Sequence, residues 1–204
     1  AMELIEKCHD KAVISLAHTC ADYHTAMQAF DAGASHMTHL YNAMPPYSHR
    51  APGPIGAAAD KEKVEVELIT DGVHIHPASV RTTFKIFGDG RIIFISDSMR
   101  ATGLDDGEYT LGGQDVKVTG NRAVLADGTI AGSATNLLDC MRTAVLRMGI
   151  PLESAVKCAT ANPAKSVGIY DEYGSISPGK KADVVLLRKE DLSLKHVILE
   201  GGLV

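Results

Sequence analysis

The sequence predicts an α/β fold: parallel strands joined by crossover helices, followed by a β-rich tail. Three observations predict it. Apolar runs of strand length recur at 13–17, 35–40, 64–70 and 91–96, nearly unbroken, as in strands buried on both faces. Amphipathic helical patterns separate them. Each run also closes on a polar group: His18, His39, Asp71-Gly72-Val73-His74 and Asp97. In a barrel of parallel strands the C-terminal strand ends meet at one mouth, where enzymes of that fold keep their chemistry.

Taken in order, residues 3–9 read as the end of a helix and 13–17 as the first strand, ending at His18. Asp22 suits an N-cap. Tyr23, Met27 and Phe30 follow at i, i+4 and i+7, and Gly33 stops the helix. Residues 35–40 form a second strand carrying His39, and such a strand–helix–strand crossover is right-handed. Pro45, Pro46, Pro52, Gly53, Pro54 and Gly56 predict a loop over 41–60, long enough to be functional. The third strand, 64–70, leads to His74. Pro77 then opens a helix with Val80, Phe84 and Phe87 inward and Gly88 at its end. The fourth strand, 91–96, is rich in isoleucine and ends on Asp97.

Beyond Asp97 the pattern changes. Runs at 109–111, 116–118 and 123–125, separated by Gly112-Gly113 and Gly120-Asn121, read as antiparallel hairpins. Residues 135–148 form a helix ended by Gly149, Pro151 opens another toward Thr160, and 182–187 and 197–199 are late strands. The expected organisation is barrel units with the candidate metal and catalytic residues over 1–108, a hairpin segment over 109–130, closing barrel helices over 131–170, and strands of a small β domain over 171–204. Four strand units make half of an eight-stranded, TIM-like barrel and leave two unpaired edges, which proteins avoid. The expectation is therefore the C-terminal half of a larger protein, or a chain that pairs with a copy of itself.

Composition narrows the partners. The 204 residues are 45% hydrophobic and 22% charged, with a net charge of -5 and no basic cluster, which argues against nucleic acid. No apolar run approaches the ~20 residues of a membrane span, and 1–15 lack a signal-peptide pattern. Cys8, Cys20, Cys140 and Cys158 have no CxxC spacing and read as reduced core thiols, which fits the cytoplasm.

His18 and His39 are candidate metal ligands, because neutral imidazole is the commonest metal ligand and catalytic zinc takes three protein ligands plus water. A histidine after an apolar run can equally be a structural residue. Asp97 could take a proton from an activated water and pass it to a leaving group, or could cap a turn within Ser96-Asp97-Ser98. His74 could polarise a substrate carbonyl. Arg50, in the Pro/Gly loop, could bind a phosphate or carboxylate with its planar fork, or be merely solvated.

Together these positions carry a resemblance. Ala17-His18-Thr19, Thr38-His39-Leu40-Tyr41-Asn42-Ala43-Met44, His49-Arg50-Ala51-Pro52-Gly53, Asp71-Gly72-Val73-His74, Ser96-Asp97-Ser98 and Ile130-Ala131-Gly132-Ser133 closely resemble the N-acetylglucosamine-6-phosphate deacetylases of the amidohydrolase superfamily. Ala159-Thr160-Ala161-Asn162-Pro163-Ala164-Lys165, Gly174-Ser175-Ile176 and Pro178-Gly179-Lys180-Lys181-Ala182-Asp183 extend the match, the last as a superfamily-wide signature. The resemblance implies hydrolysis of the N-acetyl amide of N-acetylglucosamine 6-phosphate. Within it His18 and His39 hold a divalent metal (zinc, or iron, manganese or cobalt), and Asp97 is the general base, then acid. His74 binds the acetyl oxygen or a sugar hydroxyl, and Asn42, Ala43 and Arg50 bind the phosphate. Arg50 reaches across from the neighbouring subunit of a homodimer, and backbone groups of Ile130, Ala131, Gly132 and Ser133 line the sugar site. The family's third ligand, a glutamate on an earlier strand, has no counterpart here, so weak metal binding and little activity are expected of these residues alone. Two alternatives are another amidohydrolase, dihydroorotase-like or deaminase-like, and a non-catalytic sugar-phosphate-binding or assembly fragment.

Overall fold

Four parallel strands lie side by side in sequence order in the computed structural model, which describes residues 1–204. They are β1 (Ser15–Leu16), β2 (His36–Met37), β3 (Glu65–Ile69) and β4 (Ile92–Ile95). After the N-terminal helix α1 (Met2–Cys8), helices α2 (Tyr23–Asp31), α3 (Gly53–Asp60) and α4 (Pro77–Phe87) each join one strand to the next. The α/β reading therefore holds, although β1 and β2 pair over only two residues each.

Local chemistry accounts for the helix ends. Asp22 caps α2 by accepting the Thr25 N–H at 2.8 Å, and His76 caps α4 by accepting the Ala78 N–H at 3.2 Å. One expectation fails: residues 53–60 are helix α3, not loop. The prolines and glycines sit at the start of that segment, with Pro52 at the N-cap and Pro54 in the first turn, where a missing N–H costs nothing. Ala57, Ala58 and Ala59 then carry the helix, and Ala57 and Ala58 are fully buried. The irregular stretch is confined to 41–52.

The sheet has two chemically different faces, because successive side chains alternate. Met37, Val66, Leu68, Ile92 and Phe94 lie in one core with Ala26, Ala29 and Phe30 of α2, Ala57 and Ala58 of α3, and Val80 and Phe87 of α4. The opposite face carries His36 beside Glu65, and Glu67 beside Ile93. His36 is buried. Its Nε2 lies 3.0 Å from Glu67 Oε1, and its Nδ1 lies 3.3 Å from Ser166 Oγ and 3.8 Å from Glu65 Oε2. Burial alone would depress its pKa, but the two carboxylates outweigh burial and raise it to about 9.

After β4 the chain builds an antiparallel sheet in the order β5 (Gly107–Leu111), β6 (Gln114–Thr119), β7 (Arg122–Val124) and β8 (Ile130–Ser133). The first three correspond to the expected hairpins; the fourth was not expected as a strand. Val116, Val118, Ala123, Met99 and Ala101 form its own small core. Helices α5 (Leu137–Leu146), α6 (Leu152–Ala159) and the short α7 (Ala161–Ser166) then return to pack on β4. A three-stranded sheet, β9 (Val184–Leu187), β10 (Leu194–Leu199) and β11 (Gly202–Leu203), ends the chain. All four cysteines are free. Cys140 and Cys158 are core residues with thiols pushed up to about 12 by burial, whereas Cys20 is exposed, contrary to expectation.

Two motifs acquire structural roles. Asn162, 2% exposed, donates its amide to the carbonyls of Asp89 and Ile92, each at 2.7 Å, and so ties α7 to the start of β4. Gly174 has φ +87, and a Cβ there would lie 2.7 Å from Ala164 Cβ, so only glycine fits.

Two consequences can be measured. Asn162→Ala leaves two carbonyls short of a donor and is expected to destabilise the fold by about 1–3 kcal/mol, read from the urea midpoint. An unchanged midpoint would show that water replaces the amide without penalty. His36 has a folded-state pKa raised from 6.5 to about 9, so its contribution is complete below pH 6.5 and is lost as pH rises through 9. The melting temperature of the unmodified protein should exceed that of His36→Gln at pH 6, with the gap narrowing toward pH 9; a gap that is constant with pH would mean the imidazole is neutral throughout.

Candidate active site

The strand ends of the parallel sheet bring His18 and His39 together. His18 follows β1 and is exposed; His39 follows β2 and is buried. Their rings lie 4.7 Å apart, centroid to centroid, tilted by 55°. His39 Nδ1 is buried without a hydrogen-bond partner. A buried imidazole nitrogen without a partner is costly, and a ligand on that atom removes the cost. The purely structural reading of this histidine leaves that atom unexplained. The donor set thus suits a divalent metal in part: two imidazoles meet, and no group of three ligating side chains assembles within the chain.

Backbone geometry singles out the same residues. His18, His39 and Asp97 all have left-handed φ, at +45°, +33° and +49°, although none is glycine. Such conformations cost about 1–3 kcal/mol each and gather at functional sites. Tyr41 and Ala43 are also left-handed, at +78° and +52°, so φ alternates in sign from His39 to Ala43. Within this bend the N–H groups of His39, Leu40 and Asn42 are spent on Glu67 Oε2, Glu67 O and His39 O, which leaves those of Tyr41 and Ala43 without an acceptor in the chain.

Asp97 is exposed two residues past β4, and its carboxylate accepts no neighbouring amide, which removes the turn-capping alternative. The structure brings it to β8. Asp97 O accepts the Ser133 N–H at 3.1 Å, and Ser133 O accepts the Met99 N–H at 2.8 Å. Gly132, at φ +91, lies alongside, where a Cβ would make an ordinary contact of 3.8 Å with Asp97 O. Gly132 and Ser133 therefore lie beside the turn that follows the fourth strand, while Ile130, at the other end of β8, pairs with Val124 of β7.

His74 is held firmly. Its Nδ1 lies 2.7 Å from Asp71 Oδ2, while Asp71 Oδ1 accepts the N–H groups of Val73 at 2.9 Å and His74 at 3.0 Å. Burial would raise the Asp71 pKa, but these hydrogen bonds outweigh it and hold the carboxyl below its usual value. An ionised Asp71 fixes the proton of His74 on Nδ1 and leaves Nε2 for a ligand. Asn121, at the β6–β7 turn, adds a hydrogen bond to Asp71 O at 3.1 Å.

The loop residues are less constrained. Asn42 is half-buried, and its amide donates to the carbonyls of His39 and Leu40, both at 3.3 Å, so that side chain braces the bend. The Ala43 N–H makes no hydrogen bond within the chain. Arg50 is exposed at the tip of a tight turn closed by Ser48 and Ala51, and it pairs with no group of the chain.

Sequence reasoning gave no role to Asp71, Asn121, His36 or Glu67. Two signals were present: the three-residue spacing of Asp71 and His74, and the alternating glutamates Glu65-Val66-Glu67 in a strand otherwise apolar. Glu67 Oε2 accepts the His39 N–H at 3.1 Å, which places it directly behind the candidate ligand.

Known proteins resemble this chain throughout. It is 43% identical to an N-acetylglucosamine-6-phosphate deacetylase of Bacillus subtilis (strain 168) over 189 residues, 92% of this chain and 48% of that protein. It is 36% identical to an N-acetylgalactosamine-6-phosphate deacetylase of Escherichia coli O157:H7 over 93% of its own length and 50% of the relative's. Among solved structures, the D267A mutant of N-acetyl-D-glucosamine-6-phosphate deacetylase from Mycobacterium smegmatis, in complex with N-acetyl-D-glucosamine-6-phosphate, matches with a TM-score of 0.93 at 38% identity. That match covers all of this chain and 54% of the mutant's. The Pasteurella multocida N-acetylglucosamine-6-phosphate deacetylase matches with a TM-score of 0.93 at 32% identity, over 100% of this chain and 53% of that one. The chain spans about half the length of the relatives it matches, and its architecture is a partial amidohydrolase barrel with a β domain. The amidohydrolase family profile matches residues 1–204 from end to end, and the chain belongs to that family.

Proposed function

We propose that these residues form part of an N-acetylglucosamine-6-phosphate deacetylase, which releases acetate and glucosamine 6-phosphate. The observation that carries the reading is the meeting of His18 and His39 at 4.7 Å, with His39 Nδ1 buried and unpartnered. The deacetylases named above support the substrate class. In this reading the sheet is half of an eight-stranded barrel, and the third metal ligand comes from outside the 204 residues.

His18 and His39 would hold a divalent ion, zinc by preference, with iron, manganese or cobalt compatible with the same donors. Such an ion, when bound, supplies a readily deprotonated water and polarises the amide carbonyl. Asp97, exposed at the same strand-end level, takes a proton from the attacking water and returns it to the departing nitrogen. His74, with Nδ1 tied to Asp71, presents Nε2: neutral, that atom accepts from a sugar hydroxyl, and doubly protonated it donates to the acetyl oxygen. The unbonded N–H of Ala43 suits the phosphate, with Arg50 contributed across a homodimer. Backbone groups of Ile130 to Ser133 flank the sugar. Four free cysteines fit a reducing compartment, here the cytoplasm.

The test is acetate release from N-acetylglucosamine 6-phosphate, its galactosamine epimer and unphosphorylated N-acetylglucosamine. The intact protein should strongly prefer the first; equal turnover of the epimer would shift the assignment to the galactosamine series named among the relatives. The 204 residues alone, supplied with zinc, should release little acetate. Asp97→Asn should lower kcat by about 10²–10⁴-fold with zinc content unchanged. A variant retaining full kcat would remove Asp97 from the proton transfer.

A further inference from the structure

We propose that Glu67 is the positioning residue for His39. Its carboxylate, held by His36, clamps the His39 main-chain N–H and so fixes the left-handed bend that turns this imidazole toward His18. The inference deepens the metal-site reading above and rests on it.

Three observations converge on Glu67. Its two carboxylate oxygens are divided: Oε1 lies 3.0 Å from His36 Nε2, and Oε2 accepts the His39 N–H at 3.1 Å. Its main-chain carbonyl accepts the N–H of Leu40, the next residue along, at 2.9 Å. The same residue therefore holds two successive amides of the bend through its side chain and its backbone. His39 is also the residue that needs holding, since φ +33° is sparsely populated by non-glycine residues and persists only where the surroundings over-determine it.

The clamp is itself supported. His36 lies on β2 beside Glu65, with its second nitrogen near Ser166 of α7. A continuous chain of polar contacts thus runs from α7 through His36 and Glu67 to the amide of His39. The carboxylate does not touch the imidazole of His39, so it orients that ring through the backbone. Partners behind a metal ligand commonly hold the ligand's second ring nitrogen. Here the carboxylate holds the main-chain N–H of the residue instead, and Nδ1 stays free for the ion.

The test uses Glu67→Ala, Glu67→Gln and Glu67→Asp in the intact protein, with two readouts. The first is metal-free: hydrogen–deuterium exchange of peptides covering 38–44, with 114–124 as an internal control. The second is cobalt(II) affinity and its visible absorption. In Glu67→Ala, exchange over 38–44 should rise about tenfold or more while 114–124 is unchanged, and cobalt affinity should fall about 10–100-fold with an altered spectrum. Glu67→Gln keeps a carbonyl oxygen for the His39 N–H and should restore both readouts to near the unmodified values. Native exchange and affinity in Glu67→Ala would overturn the proposal, as would a Gln variant as impaired as Ala. Should the Ala variant not fold, Glu67→Asp decides: its shorter carboxylate should raise exchange over 38–44, and native exchange there overturns the proposal. Absence of cobalt uptake by the unmodified protein would sink the metal reading instead, leaving the exchange comparison to decide Glu67.

Discussion

Sharp left-handed exits from parallel strands are the constraint on which the candidate site depends. A strand that runs on in extended conformation carries its side chains past the sheet edge on alternating faces. His18, His39 and Asp97 instead turn immediately, each with φ between +33° and +49°. The turns bring the two imidazoles to 4.7 Å and leave the carboxylate of Asp97 exposed at the end of the fourth strand. Three such residues cost about 1–3 kcal/mol each, a sum comparable with a whole domain's net stability. The rigid element beneath them must supply the compensation. It lies in the apolar face of the sheet, where Met37, Val66, Leu68, Ile92 and Phe94 are essentially inaccessible to water.

The other face of the sheet follows a different logic. His36, Glu65 and Glu67 place titratable groups on strands whose opposite side is core, and burying charge is tolerated only when it is paired. Here the pairing is dense: one imidazole between two carboxylates, with a serine hydroxyl sharing Nδ1 with Glu65. A layer of leucine or valine would be cheaper in desolvation but could not offer an acceptor to the amide of His39. The polar layer is thus where stability and site geometry are joined.

Much of this architecture could be read from the sequence, because its signals are local. The near-continuous apolar runs located all four parallel strands, and Asp22, Pro77, Gly33 and Gly88 marked helix boundaries that the structure keeps. The strand termini as candidate sites of chemistry followed from the polar group closing each run. What escaped depends on placement across the sheet or on position within a turn. Pro54 and Gly53 look like loop residues until they fall in the first turn of a helix whose alanines do the propagating. The glutamates of β3 look like surface residues until His36, from the neighbouring strand, stands between them. Left-handed backbone at His18, His39 and Asp97 has only a weak composition signal: histidine and aspartate enter that region more often than most non-glycine residues, but still rarely.

The antiparallel sheet that follows β4 looks at first like an appendage, with its own small core around Val116, Val118 and Ala123. Its two tethers argue otherwise. At one end of the sheet, Ser133 bonds the carbonyl of Asp97 and the amide of Met99, pinning the chain just after the strained residue. At the β6–β7 turn, Asn121 bonds the carbonyl of Asp71, whose carboxylate fixes His74. Both attachments land on residues that shape the site, and each uses a main-chain carbonyl, so side-chain chemistry stays free for a ligand. A sheet anchored at these two points ties together the turn that carries Asp97 and the loop that carries His74, while the strand ends of the parallel sheet bring His18 to His39. The geometry of the candidate site thus depends on the antiparallel sheet at Asp97 and His74 as well as on the parallel strands at His18 and His39.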